Sequence, residues 1–414
     1  MGRSPIRKPP PSLEESDPIE NLRGRVLKPI KERIYHPLNE LISRLGYLTC
    51  VVLLLAVTAL GAGFVRVWEH PEEAKDALTV ARYYIDARRL VPPRDANVAD
   101  SIVELTNELK DASSPANRDL PNGSFGPWTE AQLVVSLQGS DTINREEMAH
   151  WFEDRSGKCS CWHMWTGTEN QFPDHIGTTA WVLLALAEMG VRPRPDEIDF
   201  ILGNQHVAGW WSMYPASDDP MNASTYATSF AIFALAELLR RDLTDKSQEE
   251  RVKSAIHRGR EWLEDNTVPG KKGMWKDYPH GEYGEESISV SGLALHALHR
   301  TPGPPPTASD AYWMANLPSV LPMPKEDTRS SATVITKQFG ASADSTHHFK
   351  LPWVLIGTVD AYPAGTIVQR ARAARLLHQV SDRRESIREE LHGMPWLQAE
   401  TLIALRYVRG DDVI

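Results

Sequence analysis

Three short segments of the chain hold side chains that can carry protons. Ala216-Ser217-Asp218-Asp219 has two adjacent carboxylates, Tyr278-Pro279-His280 has an imidazole followed by Glu282, Glu285 and Glu286, and Asp174-His175 adds another acid and imidazole. Imidazole titrates near neutral pH, and a carboxylate accepts hydrogen bonds or protons, so Asp218, Asp219, His175 and His280 are the candidate catalytic groups. Asp218-Asp219 with His280 or Glu285 can act as paired acid and base, the arrangement with which sugar-cleaving enzymes flank a scissile bond. Trp165, Tyr214, Tyr278 and Glu285 lie in or near the same segments and are candidate ligand-binding residues, an aromatic and acidic rim around an apolar pocket. The plainer alternative is that Asp219-Pro220 makes a turn and Asn222 or Ser224 caps the helix that follows.

Cys159-Ser160-Cys161-Trp162-His163 offers two thiols and an imidazole. Zinc takes such ligands but needs four partners, or three and a water. Two cysteines one residue apart chelate only across a turn, and outside the cytoplasm they can instead oxidise or remain free. No metal ligand set is assigned. The chain has no P-loop, dinucleotide fingerprint, serine-triad motif or His-Glu-x-x-His, and no cofactor is implied.

These residues must be held in place by helices. Six apolar, small-residue-rich segments are expected as inner helices: Thr129–Gln138, Thr178–Glu188, Thr225–Leu238, Ser287–Leu298, Pro352–Tyr362 and Leu397–Tyr407. They align on Leu137, Leu186, Leu235, Leu298, Thr358 and Leu405, at intervals of about 50 to 60 residues. More polar helices are expected between them, at Arg145–Asp154, Pro195–Leu202, Glu249–Asn266 and Thr366–Leu391. Alternation of this kind suggests two concentric layers, and residues 301–347, which are Pro-rich and lack a period, are expected to be a largely irregular insertion. Gly126-Pro127-Trp128, Gly209-Trp210-Trp211 and Gly273-Met274-Trp275 are read as turns ahead of inner helices.

From Leu45 to Val65 the chain carries no charge, long enough for a membrane span of roughly 20 residues. Arg3, Arg7, Lys8, Arg23, Arg25, Lys28, Lys31, Arg33 and Arg44 precede it, whereas only Arg66, Lys75 and Arg82 follow within about 20 residues. That asymmetry places the N-terminus in the cytoplasm and the larger part outside it. The expected organisation is a cytoplasmic tail with an amphipathic juxtamembrane helix (1–44), a transmembrane helix (45–65), a helical connector (66–119) and a repeat domain (120–410). The lipid bilayer is thus a partner. The net charge of −10 argues against nucleic acid as another.

Gln205, Gly209 and Trp211, preceded by Phe200-Ile201-Leu202, resemble the QW repeat of squalene-hopene and related triterpene cyclases, and the wider unit resembles the repeats of protein prenyltransferase β-subunits. The resemblance covers about residues 120–410. It implies an all-α (α/α)6 toroid in which the Gln and Trp staple helix ends. In such a toroid the loops around His175, Asp218 and His280 meet at one mouth. The Asp-x-Asp-Asp acid of class II cyclases has no counterpart: the aligned position reads His175-Ile176-Gly177-Thr178. The expected function is binding of an apolar or lipid-linked ligand without cyclase chemistry. A divergent terpenoid, prenyl or sugar-active enzyme and a protein-binding scaffold are the alternatives.

Overall fold

The inner segments fold as their composition dictates. In the computed structural model, α4 (Ile176–Met189) is buried along its whole length, and so is α2 (Pro127–Ser136). A helix apolar on every side belongs inside a larger body. The structure describes residues 98–112, 126–138, 143–156, 161–162, 175–215, 218–281, 286–322 and 350–411, with Tyr83, Tyr84 and Arg88. The expected membrane span and juxtamembrane helix lie outside these residues. Among the described residues no helix is long and apolar enough to cross a membrane.

Among the described residues the fold is all-α apart from a two-residue ladder, β1 (Trp275–Lys276) against β2 (Glu286–Ser287), and two isolated bridges. The remaining helices are α1 (Val98–Ala112), α3 (Arg145–Arg155), α5 (Pro195–Gly203), α6 (Thr225–Arg240), α7 (Lys246–Asp265), α8 (Ile288–Arg300), α9 (Thr307–Ala315), α10 (Lys350–Ala361), α11 (Ile367–Asp382), α12 (Arg384–Leu391) and α13 (Pro395–Arg409). Local chemistry sets their ends. Ser224 and Ser287 side chains accept backbone N–H bonds at the starts of α6 and α8, Pro occupies the first turn of α2, α5 and α13, and left-handed Gly190 and Gly410 close α4 and α13.

α2 packs on α4, α4 on α6, α6 on α8, α8 on α10, α10 on α13, and α13 on α2, so the contacts form a closed circuit. All six expected inner segments are members of it. α8 and α10 approach closely: a Cβ on Gly292 would fall 2.2 Å from the Trp353 carbonyl oxygen. Amphipathic helices lie against the circuit, α3 and α5 on α4, α7 on α6, and α9 on α10. α1, in the segment read as a connector, packs on α13, with Glu108 accepting from Arg388 at 2.9 Å and from Gln398 at 2.7 Å.

One expectation is corrected and another is refined. Of the segment expected to be largely irregular, residues 323–347 lie outside the described ones. The segment holds a helix, α9, which buries Trp313 and Met314; nine residues give too few turns for a visible period. Its Asp310 meets His299 of α8 at 2.8 Å. Gly126-Pro127-Trp128 is a helix start: Pro127 opens α2, and Trp128 lies inside it.

Candidate functional site

Three tryptophans fix the turns that lead into α4, α6 and α8. Trp162 donates its indole N–H to the Phe152 carbonyl at 2.9 Å, Trp211 to Ile201 at 2.7 Å, and Trp275 to Leu263 at 2.8 Å. Each also donates its backbone N–H to a hydroxyl on the coming helix: Thr179 at 3.2 Å, Thr228 at 3.0 Å and Ser291 at 2.8 Å. One ring therefore ties the preceding outer helix to the following inner one. Gln205 donates to Gly209 and Ala255 carbonyls, both at 2.9 Å, joining its turn to α7. Glycine is needed in these turns. Gly209 has φ +100° and Gly273 φ +93°, and Cβ atoms there would lie 2.3 Å from the Arg258 oxygen and 2.5 Å from the Ser309 oxygen.

The turns hold the sequence candidates at the N-terminal ends of the inner helices. His175 is buried and caps α4, its Nδ1 accepting the Thr178 N–H at 3.0 Å. Its ring lies 5.4 Å from that of Trp128 and 5.3 Å from that of Tyr214. Tyr278 is buried, and burial, with Asp277 and Tyr214 beside it, pushes its hydroxyl well above the usual tyrosine range. Asp218 and Asp219 lie on an exposed loop, where Asp219 accepts the Met221 N–H at 3.0 Å and starts a turn of 3-10 helix. His280 is exposed and, with Pro220, His206, Trp210 and Trp262, lines an outer cleft of about 800 Å³. The structure thus joins His175 to Tyr214 and brings His280 close to the loop that follows Asp219. Trp165 and Glu285 lie outside the described residues.

A second cluster occupies the interior of the circuit. Trp128 of α2 stacks on Tyr226 of α6 at 5.8 Å, with ring planes 6° apart, and Phe230 of α6 meets Trp353 of α10 edge-on at 5.6 Å. Neither pair comes from neighbouring helices, so both contacts cross the interior. The Trp181 indole donates to the Tyr226 hydroxyl at 3.3 Å, and Gly177 leaves space for the His175, Trp128 and Tyr226 rings.

One buried carboxyl acts on this cluster. Glu400 of α13 accepts from Gln132 Nε2 of α2 at 2.8 Å. Its other oxygen, Oε2, and the Gln132 oxygen are buried without a hydrogen-bond partner. Burial pushes the Glu400 carboxyl up to about 8, against the opposing effect of the Gln132 bond, so it carries its proton at neutral pH. Glu400 also acts electrostatically on Tyr226, which faces it from the opposite helix of the circuit.

The C-terminal ends of the inner helices carry a separate polar layer. Glu237 pairs with Arg300 at 3.1 Å, and Glu188 with Arg241 at 2.5 Å. Asp360 meets His296 Nδ1 at 2.8 Å and accepts from the Tyr407 hydroxyl at 2.5 Å. Burial opposes the Asp360 charge, but His296, His299 and Tyr407 outweigh it and hold the carboxyl below its ordinary range.

Cys161 is disulfide-bonded, its partner lying outside the described residues. Among the described residues no group of three or more His, Cys, Asp and Glu side chains is placed to hold a metal ion. No family model and no curated protein matches the chain.

Sequence reasoning passed over Glu400, Gln132, Tyr226 and Asp360. All four lie on expected inner helices, and the available signal was a lone polar residue inside an apolar stripe.

Proposed function

We propose that the repeat domain is an (α/α)6 toroid that binds an apolar or lipid-linked ligand in its interior and does not carry out class II cyclase chemistry. The closed circuit of six helices, with amphipathic helices against it, supports the toroid. The observation that carries the binding reading is the meeting of Trp128, Tyr226, Phe230 and Trp353 from non-adjacent helices, with the buried acid Glu400 acting on Tyr226. Aromatic rings give an apolar ligand large contact area, and a neutral acid avoids the penalty of a buried charge. The place where class II cyclases keep their acid holds His175, which is committed to capping α4.

The domain lies outside the cytoplasm, tethered by a span at 45–65. The uncharged run, the flanking basic residues and the disulfide at Cys161 all favour this reading. A reporter enzyme active only outside the cytoplasm, fused after residue 120, should be active; activity only from a cytoplasmic reporter would refute the orientation.

A scaffold for a protein partner is the second reading. It draws on the outer cleft beside His206, Trp210 and Trp262 and on Val207, which is 85 % exposed there. Titration of the full chain, in detergent, with a dansyl-labelled polyisoprenoid separates the readings. The interior site predicts saturable energy transfer from the buried tryptophans, lost on competition with unlabelled probe and weakened in Phe230→Ala. Transfer that never saturates would reject the ligand reading and leave the scaffold.

A further inference from the structure

Glu400, Gln132 and Trp353 present hydrogen-bonding atoms that the fold leaves unused. Glu400 Oε2, Gln132 Oε1 and Trp353 Nε1 have no partner, and all three residues are more than nine-tenths buried. They lie on α13, α2 and α10, consecutive members of the circuit. Glu400 and Gln132 are already locked together through Gln132 Nε2, which fixes the direction of their free oxygens relative to one another. Glu400 also acts electrostatically on Tyr226, a ring of the interior cluster. A native fold seldom leaves a bonded buried pair with a free oxygen on each member and no group to satisfy them.

The charge around this cluster narrows what that group is. Only burial and the Gln132 bond act on Glu400, and among the described residues no Lys or Arg offsets its charge. A phosphate or diphosphate would meet a carboxyl and an amide with no cation to balance it, and this is strongly unfavourable in a buried site. A plain hydrocarbon would leave the same polar atoms unsatisfied. A hydroxyl fits both: its oxygen accepts from protonated Glu400, and its proton goes to Gln132 Oε1.

We propose that the interior site takes an uncharged apolar alcohol, with its hydroxyl held between Glu400 and Gln132 and its hydrocarbon chain against Trp128, Tyr226, Phe230 and Trp353. This rests on the reading of the interior as a ligand site. It adds that the head group is neutral and bears both a donor and an acceptor.

Competition on the full chain tests it, with the dansyl polyisoprenoid as reporter and farnesol, farnesyl diphosphate and squalene as competitors. Farnesol should displace the reporter at about one-tenth the concentration that the other two need, the difference expected for one satisfied buried pair. Squalene or the diphosphate matching farnesol would overturn the head-group assignment while leaving the site intact. A reporter that never binds saturably would overturn the underlying reading as well. Glu400→Gln retains a donor and an acceptor and should bind farnesol within about threefold of the native chain, whereas Glu400→Leu should weaken it about tenfold. Gln132→Leu serves as an independent variant should Glu400→Leu fail to fold. Unchanged farnesol affinity in a folded leucine variant at either position would also overturn the assignment.

Discussion

Glu400 ties the interior to the pH of its surroundings. Burial raises its carboxyl to about 8, whereas in the unfolded chain it titrates near the ordinary glutamate value. The folded state therefore holds a proton that the unfolded state gives up as pH rises. Its contribution to stability is complete below the unfolded value and is lost as pH climbs through about 8. Glu188, raised by burial to about 7 despite Arg241, acts in the same sense. Asp360 acts in the opposite sense: its lowered carboxyl contributes above its unfolded value, and that contribution is lost as pH falls. Thermal unfolding should thus show a higher Tm near about pH 5 than near about pH 9. Glu400→Gln should flatten that alkaline decline, since Gln does not titrate. A native pH profile that rises toward pH 9, or an unchanged decline in the variant, would count against a proton held at Glu400.

At the scale of elements, the turn glycines make a sharper demand than any single contact. Gly209→Ala places a Cβ against the Arg258 carbonyl in a left-handed backbone. Both effects oppose the native turn, and the loss expected is about 3 kcal/mol, or roughly 6 °C or more in Tm. Gly203→Ala is the control, because nothing lies within 4 Å of a Cβ there. Calorimetry on the two variants checks this, and equal Tm values would remove the steric argument. The six inner helices were legible in the sequence because their apolar residues continue on every face and capping residues mark their starts. Trp211 and Trp275 were legible as turn residues for the same reason. The repeat tryptophan before α4 was harder to place, since Trp162 is preceded by Cys161 where the other two turns have Trp210 and Met274. The α9 helix escaped notice because its buried apolar residues, Trp313 and Met314, are adjacent, and the other two it buries, Ser309 and Asp310, are polar. The interior cluster escaped for a different reason: cross-circuit contacts such as Trp128 with Tyr226 depend on which helices oppose one another, and spacing along the chain does not encode that.

Closure governs the molecule as a whole. In an open helical array, removing the last unit costs one interface and leaves the others standing. Here α13 contacts α10, α2 and α1 together. Its bonds include Gln132 with Glu400 at 2.8 Å and Arg406 with the Ser136 carbonyl at 2.7 Å. Deleting the chain from Pro395 onward should therefore abolish cooperative unfolding and expose apolar surface to a hydrophobic dye. A truncated protein with a sharp transition within about 5 °C of the native Tm would show that the remaining repeats stand alone.

The same contacts bear on how the chain is made. Gln132 and Glu400 are 268 residues apart, and Glu108 and Gln398 are 290 apart. While the ribosome is still adding the later repeats, α2 has no α13 to cover it, and its apolar face stays open to water. Pairings of such long range form slowly and leave the growing chain open to aggregation. α13 follows every other member of the circuit along the chain, so a chain stalled before it offers a ready target for chaperones and proteases.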